Sequence, residues 1–227
     1  MKIFQVVTLI SPDGAYGGPV RVAVNQTRAL LERGHDVTLV AGGKGFGAHL
    51  PKSFDGVPVH LFPVQRVLPA GGEFAALASP DMRKFLAANF HTADVCHLHL
   101  ARDLVMLPAA LLARRANVPF FVQPHGMICP SSKVLAQPLD ALWTRPLLRS
   151  AERVFYLTPE EASALKTVGR RTLRLEHLRN GVPPSSRPMD KGSYPMEVLF
   201  LARLHPRKNP LDFVARFPLT RPVACMV

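Results

Sequence analysis

Residues 2–41 have the sequence KIFQVVTLISPDGAYGGPVRVAVNQTRALLERGHDVTLVA, and this stretch decides the fold class. It begins with an apolar run at 2–10 that predicts a buried strand. Turn-forming residues follow, and from Pro19 apolar residues recur at helical spacing until Gly34, which suits a left-handed helix cap. Another strand is predicted at 36–41. This order of strand, glycine-rich turn, helix and strand implies parallel strands joined by a right-handed crossover.

The same alternation continues along the chain. Further strands are predicted at 58–62, 95–100, 118–123, 153–157 and 173–178, and further helices at 79–90, 104–116, 139–148 and 158–169. Thr158 and Glu161 have the spacing of a capping box at the start of the last of these helices. Continuous apolar strands that alternate with helices predict an α/β fold, a doubly wound parallel sheet with both faces covered.

The domain boundary is predicted after an Asn180-Gly181 turn. Residues 1–182 form the expected first domain, and residues 183–195, rich in proline with serine and glycine, form a linker. Residues 196–227 begin with the apolar run Val198–Leu201, which predicts the first strand of a second α/β domain. At 227 residues the chain has room for one sizeable core and a small appendage, so we expect this second domain to be incomplete.

The charge composition indicates which classes of partner the protein binds. The chain has 28 Lys and Arg against 16 Asp and Glu, a formal charge of +12, which favours nucleic acid, an acidic membrane surface or a phosphorylated substrate. The basic residues are scattered in ones and twos, without a basic run, a zinc-finger spacing or an RNA-recognition signature, so nucleic acid is not expected.

The cysteines and the N-terminus bear on localisation. The three cysteines have no paired spacing, which indicates free thiols in a reducing compartment. The N-terminal apolar run is too short for a signal peptide, and no segment offers the roughly twenty apolar residues of a membrane span. We therefore expect a cytoplasmic protein whose membrane contact, if any, is peripheral and at the inner face of the membrane.

Ligands of a doubly wound sheet bind outside the carboxyl ends of its strands, so the loops there carry the candidate site. Gly17 and Gly18 precede a helix whose N-terminus suits a phosphate, although a purely structural turn explains them equally well. His125 follows the strand at 118–123 and has two interpretations, a group that positions or polarises a ligand and donates a hydrogen bond to it, or a structural histidine.

Two further clusters were considered. Cys96, His97 and His99 invite a metal interpretation, but no further ligand stands at recognisable spacing, so no metal is expected. Arg203 and Lys208 lie on one predicted strand-to-helix loop and suit a diphosphate, because arginine binds oxygens through its fork and lysine adds a point charge. A solvated basic turn is the alternative for these two residues.

Several segments taken in order resemble one family. They are Gly17–Val22 with Arg28–Val40, Val95–His99, Val118–Met127, Phe155–Glu161, Arg179–Pro183 and Val198–Lys208. Together they are similar to GT-B glycosyltransferases of the retaining, glycogen-synthase-like superfamily (glycosyltransferase family 4-like). The resemblance covers nearly the whole chain as far as about residue 213 and implies two Rossmann-like domains, the first binding the acceptor and the second the nucleotide sugar.

The resemblance also implies roles. The reaction would transfer a sugar from a UDP- or GDP-sugar to a glycan or lipid-linked acceptor with retained anomeric configuration and without an obligatory cofactor or metal. His125 would contact the donor sugar near the reacting carbon. Gly17 and Gly18 would approach the donor diphosphate, and Arg203 and Lys208 would neutralise its charge.

The sequence departs from the family pattern in its last part. The usual glycines before the arginine and after the lysine are Ala202 and Asn209, and the donor-domain glutamate pair has no counterpart. We therefore expect a truncated glycosyltransferase with little activity alone. Two alternatives stay open: half of an enzyme whose donor domain is a separate chain, and a non-catalytic phosphate- or glycan-binding module.

Overall fold

The computed structural model describes residues 1–14, 17–47, 49–67, 75–134, 136–170, 172–182, 200 and 208–216. The chain divides into two compact units, Met1–Pro183 and Pro184–Val227. The predicted linker at 183–195 and Arg203 lie outside the described residues, and so does the predicted strand Val198–Leu201 apart from Phe200. Within the part of the chain that is described, no helix combines the length and the apolar character needed to cross a membrane.

The first unit is built on a mostly parallel sheet. Its described strands are β1 Lys2–Ile10, β2 Asp36–Gly43, β3 Ser53–Phe54, β4 Val57–Pro63, β5 Gln65–Arg66, β6 Leu77–Ala78, β7 Val95–Leu98, β8 Phe120–Val122, β9 Arg153–Tyr156 and β10 Leu175–His177. Eight of them form one sheet in the order β10-β9-β8-β7-β1-β2-β4-β3, and β5 pairs with β6 separately. Within the large sheet only the short edge pair of β3 and β4 is antiparallel.

Helices connect the parallel strands as predicted. They are α1 Gly17–Glu32, α2 Pro80–Asn89, α3 Met106–Arg115, α4 Ala136–Leu139, α5 Arg145–Ser150 and α6 Pro159–Gly169. Gly34 has a φ of 80°, which confirms the left-handed residue expected after α1. The predicted doubly wound α/β architecture is therefore confirmed.

The helix predicted at 139–148 is wrong in detail. A π-helical segment at Asp140–Thr144 separates α4 from α5, and α5 has proline in its first turn. Pro146 has no N–H to donate, so an α-helical hydrogen bond is missing where the backbone pattern changes. Apolar periodicity alone did not reveal this interruption.

The two faces of the sheet carry different helices. Along β1, Phe4 and Val6 face a large buried cluster that includes residues of α2, α3, α5 and α6. Val7 and Ile10 belong instead to a smaller cluster with residues of α1. Right-handed crossovers explain this division, because the chain runs from β1 to β2 in one direction and from β7 to β10 in the other.

The change of direction places a candidate binding region. β1 lies between β7 and β2, so the chain leaves β1 and β7 toward opposite sides of the sheet. Loops diverge at such a switch point and leave a crevice at the carboxyl ends of the strands. The loops after β1, β7 and β8 all lie at this edge.

The second unit is described only in small part. It contains α7 Pro210–Arg216, and the rings of Phe200 and Phe213 lie 5.1 Å apart. Lys208 is exposed just before this helix.

Candidate functional site

The glycine-rich loop after β1 turns sharply into α1. Gly14 has a φ of 65°, its N–H donates to the carbonyl of Ser11 at 3.2 Å, and the Gly17 N–H donates to the carbonyl of Gly14 at 2.9 Å. Gly17 then begins α1, whose first turn leaves N–H groups without helical partners. A small cavity beside the loop is lined by Ser11, Gly14, Gly17, Val20, Arg21, Phe54 and Asp55.

Gly17 and Gly18 themselves are not required by the turn. Neither has a positive φ, and a Cβ atom added to either residue would meet nothing within 4 Å. Gly14 is the residue that needs the left-handed conformation. Among the described residues, the space beside Gly17 and Gly18 is open, and the role of these two glycines toward a ligand stays a prediction.

His125 follows β8 in an unusual backbone conformation. It has a φ of 54°, and the next residue, Gly126, has a φ of 74°. Non-glycine residues seldom adopt this left-handed region, and where they do the surrounding contacts hold them there. Two sets of contacts, from His99 and from Glu161, perform this task.

The first set is a chain of three side chains across the sheet. The Nε2 atom of His125 lies 2.7 Å from Nδ1 of His99, and Nε2 of His99 lies 2.9 Å from Oε1 of Gln5. Gln5 and His99 are completely buried, whereas His125 is half-buried at the carboxyl edge. This series of hydrogen-bonded side chains connects the central strand β1 to the candidate site.

A third histidine packs against this chain. The ring of His97 stacks on that of His99 with centroids 4.7 Å apart, and it also packs edge-on against the ring of Phe155. Cys96 points to the opposite face and belongs to the large core, where burial raises the pKa of its thiol to about 12. Among the described residues, no three His, Cys, Asp or Glu side chains are grouped to hold a metal.

The three histidines are neutral near neutral pH. Burial lowers the pKa of His125 to about 4. Burial and the nearby His125 charge lower the pKa of His97 to about 3, although a hydrogen bond with the Gln123 side chain acts in the opposite direction. Burial, with the charges of His97 and His125, holds the pKa of His99 well below its usual value. Neutral imidazoles each offer one N–H donor and one lone pair.

Glu161 provides the second set of contacts to the His125 loop. Its carboxylate accepts hydrogen bonds from the Gly126 N–H at 2.6 Å and from the Leu157 N–H at 2.8 Å. The side chain is only 8 % exposed. A carboxylate that accepts two backbone N–H groups ties the loop after β8 to the start of α6.

This arrangement corrects the predicted capping box. The Thr158 hydroxyl accepts from the Glu161 N–H at 3.2 Å as expected, but the Glu161 carboxylate does not return a bond to the Thr158 N–H. It instead bonds Leu157 and Gly126, because the loop after β8 lies within its reach.

A polar network holds the Asn180-Gly181 turn. Gln123, the first residue after β8, accepts from Gln26 of α1 at 3.1 Å and donates to Asn180 at 3.3 Å. Asn25 of α1 donates to the Gly181 carbonyl at 3.2 Å. The last described part of the first unit is thus anchored to α1 and β8.

The predicted site residues fall into three groups. Gly17 and Gly18, in the first turn of α1, and His125, in the loop after β8, lie at the carboxyl edge of the first unit, although neither described cavity is lined by both segments. Lys208 is exposed in the second unit, and Arg203 lies outside the described residues.

Two residues of the site were missed as such. Gln5 is the only polar residue between Lys2 and Thr8 in an apolar strand, and that interruption was a detectable signal. Glu161 had been assigned only a capping role. His99 had been considered as a metal ligand, whereas its ring nitrogens face Gln5 and His125.

Several solved structures have a similar fold. HepE of Anabaena in complex with UDP matches with a TM-score of 0.53 and 19% identity over 80% of this chain and 44% of that chain. HepE in complex with UDP and glucose matches with a TM-score of 0.53 and 18% identity, covering 80% of this chain and 45% of that chain. Sucrose-phosphate synthase from Thermosynechococcus elongatus has a TM-score of 0.49 at 12% identity, covering 79% of this chain and 48% of that chain.

These structural likenesses concern the fold, because the identities are low. The chain spans less than half the length of the HepE chains that it matches. A search of curated protein sequences finds no match. The family model described as glycosyl transferase 4-like domain matches residues 17–181, which include Gly17, Gly18, His99, His125 and the Asn180-Gly181 turn. The chain therefore belongs to the glycosyl transferase 4-like domain family.

Proposed function

We propose that this chain is the acceptor-side part of a glycosyltransferase that uses a nucleotide-sugar donor and retains the anomeric configuration. The observation that carries the proposal is the match to the glycosyl transferase 4-like domain over residues 17–181. The site geometry supports it, since a neutral histidine and an open glycine loop lie at the edge where doubly wound sheets bind ligands.

In this proposal His125 contacts the donor sugar near the reacting carbon. Its two anchors, His99 and Glu161, keep the ring in one orientation, as positioning of a reacting group requires. Gly17 and Gly18 let the start of α1 approach the donor diphosphate, and the free N–H groups there favour negative charge.

Arg203 and Lys208 would neutralise the diphosphate as it departs. Negative charge grows on the leaving nucleoside diphosphate while the glycosidic bond breaks, and fixed cations stabilise that charge. This chemistry requires no metal or other cofactor. The proposed role of these two residues rests on the family resemblance of the loop that contains them.

The proposed donor base is uracil. The neighbouring HepE structures contain UDP, in one case with glucose, which supports a UDP-sugar ahead of a GDP-sugar. The proposed acceptor is a glycan or a lipid-linked phosphate, and the net charge of +12 favours such anionic company, including a peripheral position at the inner face of a membrane.

A second candidate is half of a split enzyme. The chain covers 44% of the HepE chain in complex with UDP, and in this candidate a further domain completes the active site. That domain would belong either to the same polypeptide or to a separate chain. In both cases we expect little turnover by these 227 residues alone.

Calorimetry on the purified chain tests the proposal. UDP, GDP and UDP-glucose are titrated into the wild type, His125→Asn, Lys208→Ala and the control His91→Gln, which changes an exposed histidine. Asparagine tolerates the left-handed φ of position 125. We expect UDP-glucose to bind more tightly than UDP, and this difference to fall by about tenfold in His125→Asn, the loss of one hydrogen bond.

The remaining outcomes separate the alternatives. Lys208→Ala is expected to weaken UDP and UDP-glucose equally, and His91→Gln to weaken neither. Binding of inorganic phosphate or free glycan without any preference for a nucleotide would contradict the proposal and favour a non-catalytic module. Sustained hydrolysis or transfer of UDP-glucose by the chain alone would contradict the expected lack of autonomous turnover.

A further inference from the structure

Gln5 occupies an unusual place for an amide side chain. It lies in the central strand β1 between Phe4 and Val6, directly beside His97 of β7 in the strand register, and it is completely buried. An amide group in an apolar strand destabilises the fold unless it is hydrogen-bonded. Its one described side-chain hydrogen bond joins Oε1 to Nε2 of His99 at 2.9 Å, and among the described residues its Nε2 atom has no hydrogen-bond partner.

That hydrogen bond determines which atom donates and which accepts in both bonds of the series Gln5, His99 and His125. An amide oxygen only accepts hydrogen bonds, so His99 must carry its proton on Nε2. A neutral imidazole has a single N–H, which leaves Nδ1 of His99 as an acceptor. The Nε2 atom of His125, 2.7 Å away, must then be the donor.

We propose that Gln5 is a positioning residue that acts through His99 to place the proton of His125 on Nε2, so that Nδ1 of His125 presents only a lone pair. Among the described residues, none bonds this Nδ1 atom. A molecule that meets His125 there must therefore offer an O–H or N–H donor. A sugar hydroxyl fits this requirement, and a phosphate oxygen or a carbonyl does not.

The inference changes the role expected of His125. The sequence favoured an imidazole that donates a hydrogen bond to its ligand, but the single N–H of His125 is directed to His99. The low pKa of His99, which burial and the charges of His97 and His125 hold well below its usual value, agrees with the inference, because protonation of His99 would put its Nδ1–H face to face with the Nε2–H of His125. The hydroxyl as ligand rests on the proposed function, whereas the proton positions do not.

Long-range ¹H–¹⁵N NMR of the histidine rings in the full chain tests the proton positions directly. The wild type should show protonated Nε2 and unprotonated Nδ1 in both His99 and His125, with signals assigned from His99→Gln and His125→Asn. In Gln5→Leu we expect both tautomers to reverse. His99 would otherwise bury an N–H without an acceptor, which costs more than an unused lone pair.

Three comparisons keep the test decisive. Thr8→Val removes another buried side-chain hydrogen bond from the same strand, the one to Asp103, and should lower stability without changing either tautomer. Gln5→Glu keeps an oxygen acceptor and should preserve the wild-type proton positions. Protonated Nδ1 on His99 in the wild type overturns the proposal even if Gln5→Leu does not fold, as do unchanged tautomers in a folded Gln5→Leu.

The result is independent of nucleotide binding. If calorimetry shows no preference for a nucleotide while the spectra show the expected tautomers, the proposed function fails and the positioning role of Gln5 stands. If calorimetry shows the expected nucleotide preference while the spectra show other tautomers, the proposed function stands and Gln5 has no positioning role.

Discussion

The two faces of the sheet bury different kinds of side chain. On one face β1 contributes Phe4 and Val6 to a large apolar core with helices α2, α3, α5 and α6. On the other face the same strand contributes Gln5 and Val7, beside a smaller cluster under α1. The buried histidine chain from Gln5 to His125 lies in this second layer.

The difference shows that one face of the sheet provides most of the apolar core, whereas the other provides the polar side chains of the candidate site. The face with four helices carries the larger apolar cluster, and burial of apolar surface is the dominant favourable contribution to folding. The α1 face carries polar side chains, several of them hydrogen-bonded to one another, that extend to the carboxyl edge. Substitutions on the first face should therefore change stability most, and those on the second should change pH response and binding.

The largest expected effect contrasts two fully buried leucines on the two faces. Leu98→Ala removes a side chain from the large core, and Leu39→Ala removes one from the α1 cluster. We expect losses in the free energy of unfolding of about 4 and about 3 kcal/mol, because the smaller cluster relaxes more easily around a cavity. Urea unfolding at pH 7 measures both, and equal losses would remove the proposed difference between the faces.

The second prediction concerns acid. The folded pKa of His97 is lowered to about 3, so the unfolded chain takes up this proton first as the pH falls below its usual value of 6.5. Stability contributed by the neutral ring is present above pH 6.5 and lost as the pH falls toward 3. Between pH 7 and pH 5 the loss is about 2 kcal/mol for one such histidine.

His97→Phe isolates this effect. Phenylalanine keeps the ring packing against Phe155 and His99 and does not touch the bonds from Gln5 to His125. The variant should be less acid-sensitive than the wild type by about 2 kcal/mol between pH 7 and pH 5 in urea unfolding. Asp103 opposes the trend in both proteins, since burial raises its pKa to about 6 and favours the folded state in acid. An unchanged pH profile would show that His97 titrates normally.

The smallest expected effect tests the clamp on the His125 loop. Glu161→Gln replaces one accepting oxygen with an NH₂ group that faces a backbone N–H, which should lower the free energy of unfolding by about 1–2 kcal/mol. Glu160→Gln changes the adjacent exposed glutamate in the same helical turn and serves as the control. If the two variants lose the same stability, the Glu161 contacts to Gly126 and Leu157 do not hold the loop.

Local sequence signals predicted most of the elements. The strand at 2–10, the helix that follows and the left-handed Gly34 were all correctly located. The apolar spacing and the glycine that ends the helix are signals carried by residues close together in the sequence. The turn of π-helix at Asp140–Thr144 was missed. Its hydrogen bonds differ from those of an α-helix without a matching change in apolar spacing.

The candidate site was predicted less completely than the fold. Gly17, Gly18 and His125 were identified because each follows a predicted strand. The partners that orient His125 come from elsewhere, since Gln5 lies 94 positions before His99 and Glu161 lies 35 positions after Gly126. No local pattern specifies contacts over such separations.

The sequence by itself determined the alternation of strands and helices, the family resemblance and the residue types at the carboxyl edge, because these depend on local order along the chain. Only the tertiary structure decided which nitrogen of His125 is available to a ligand. That property depends on the amide oxygen of Gln5 bonding the ring of His99, two residues that meet only when β1 and β7 pair in a parallel sheet. A hydrogen bond has a direction, and folding sets it by bringing the acceptor to the donor.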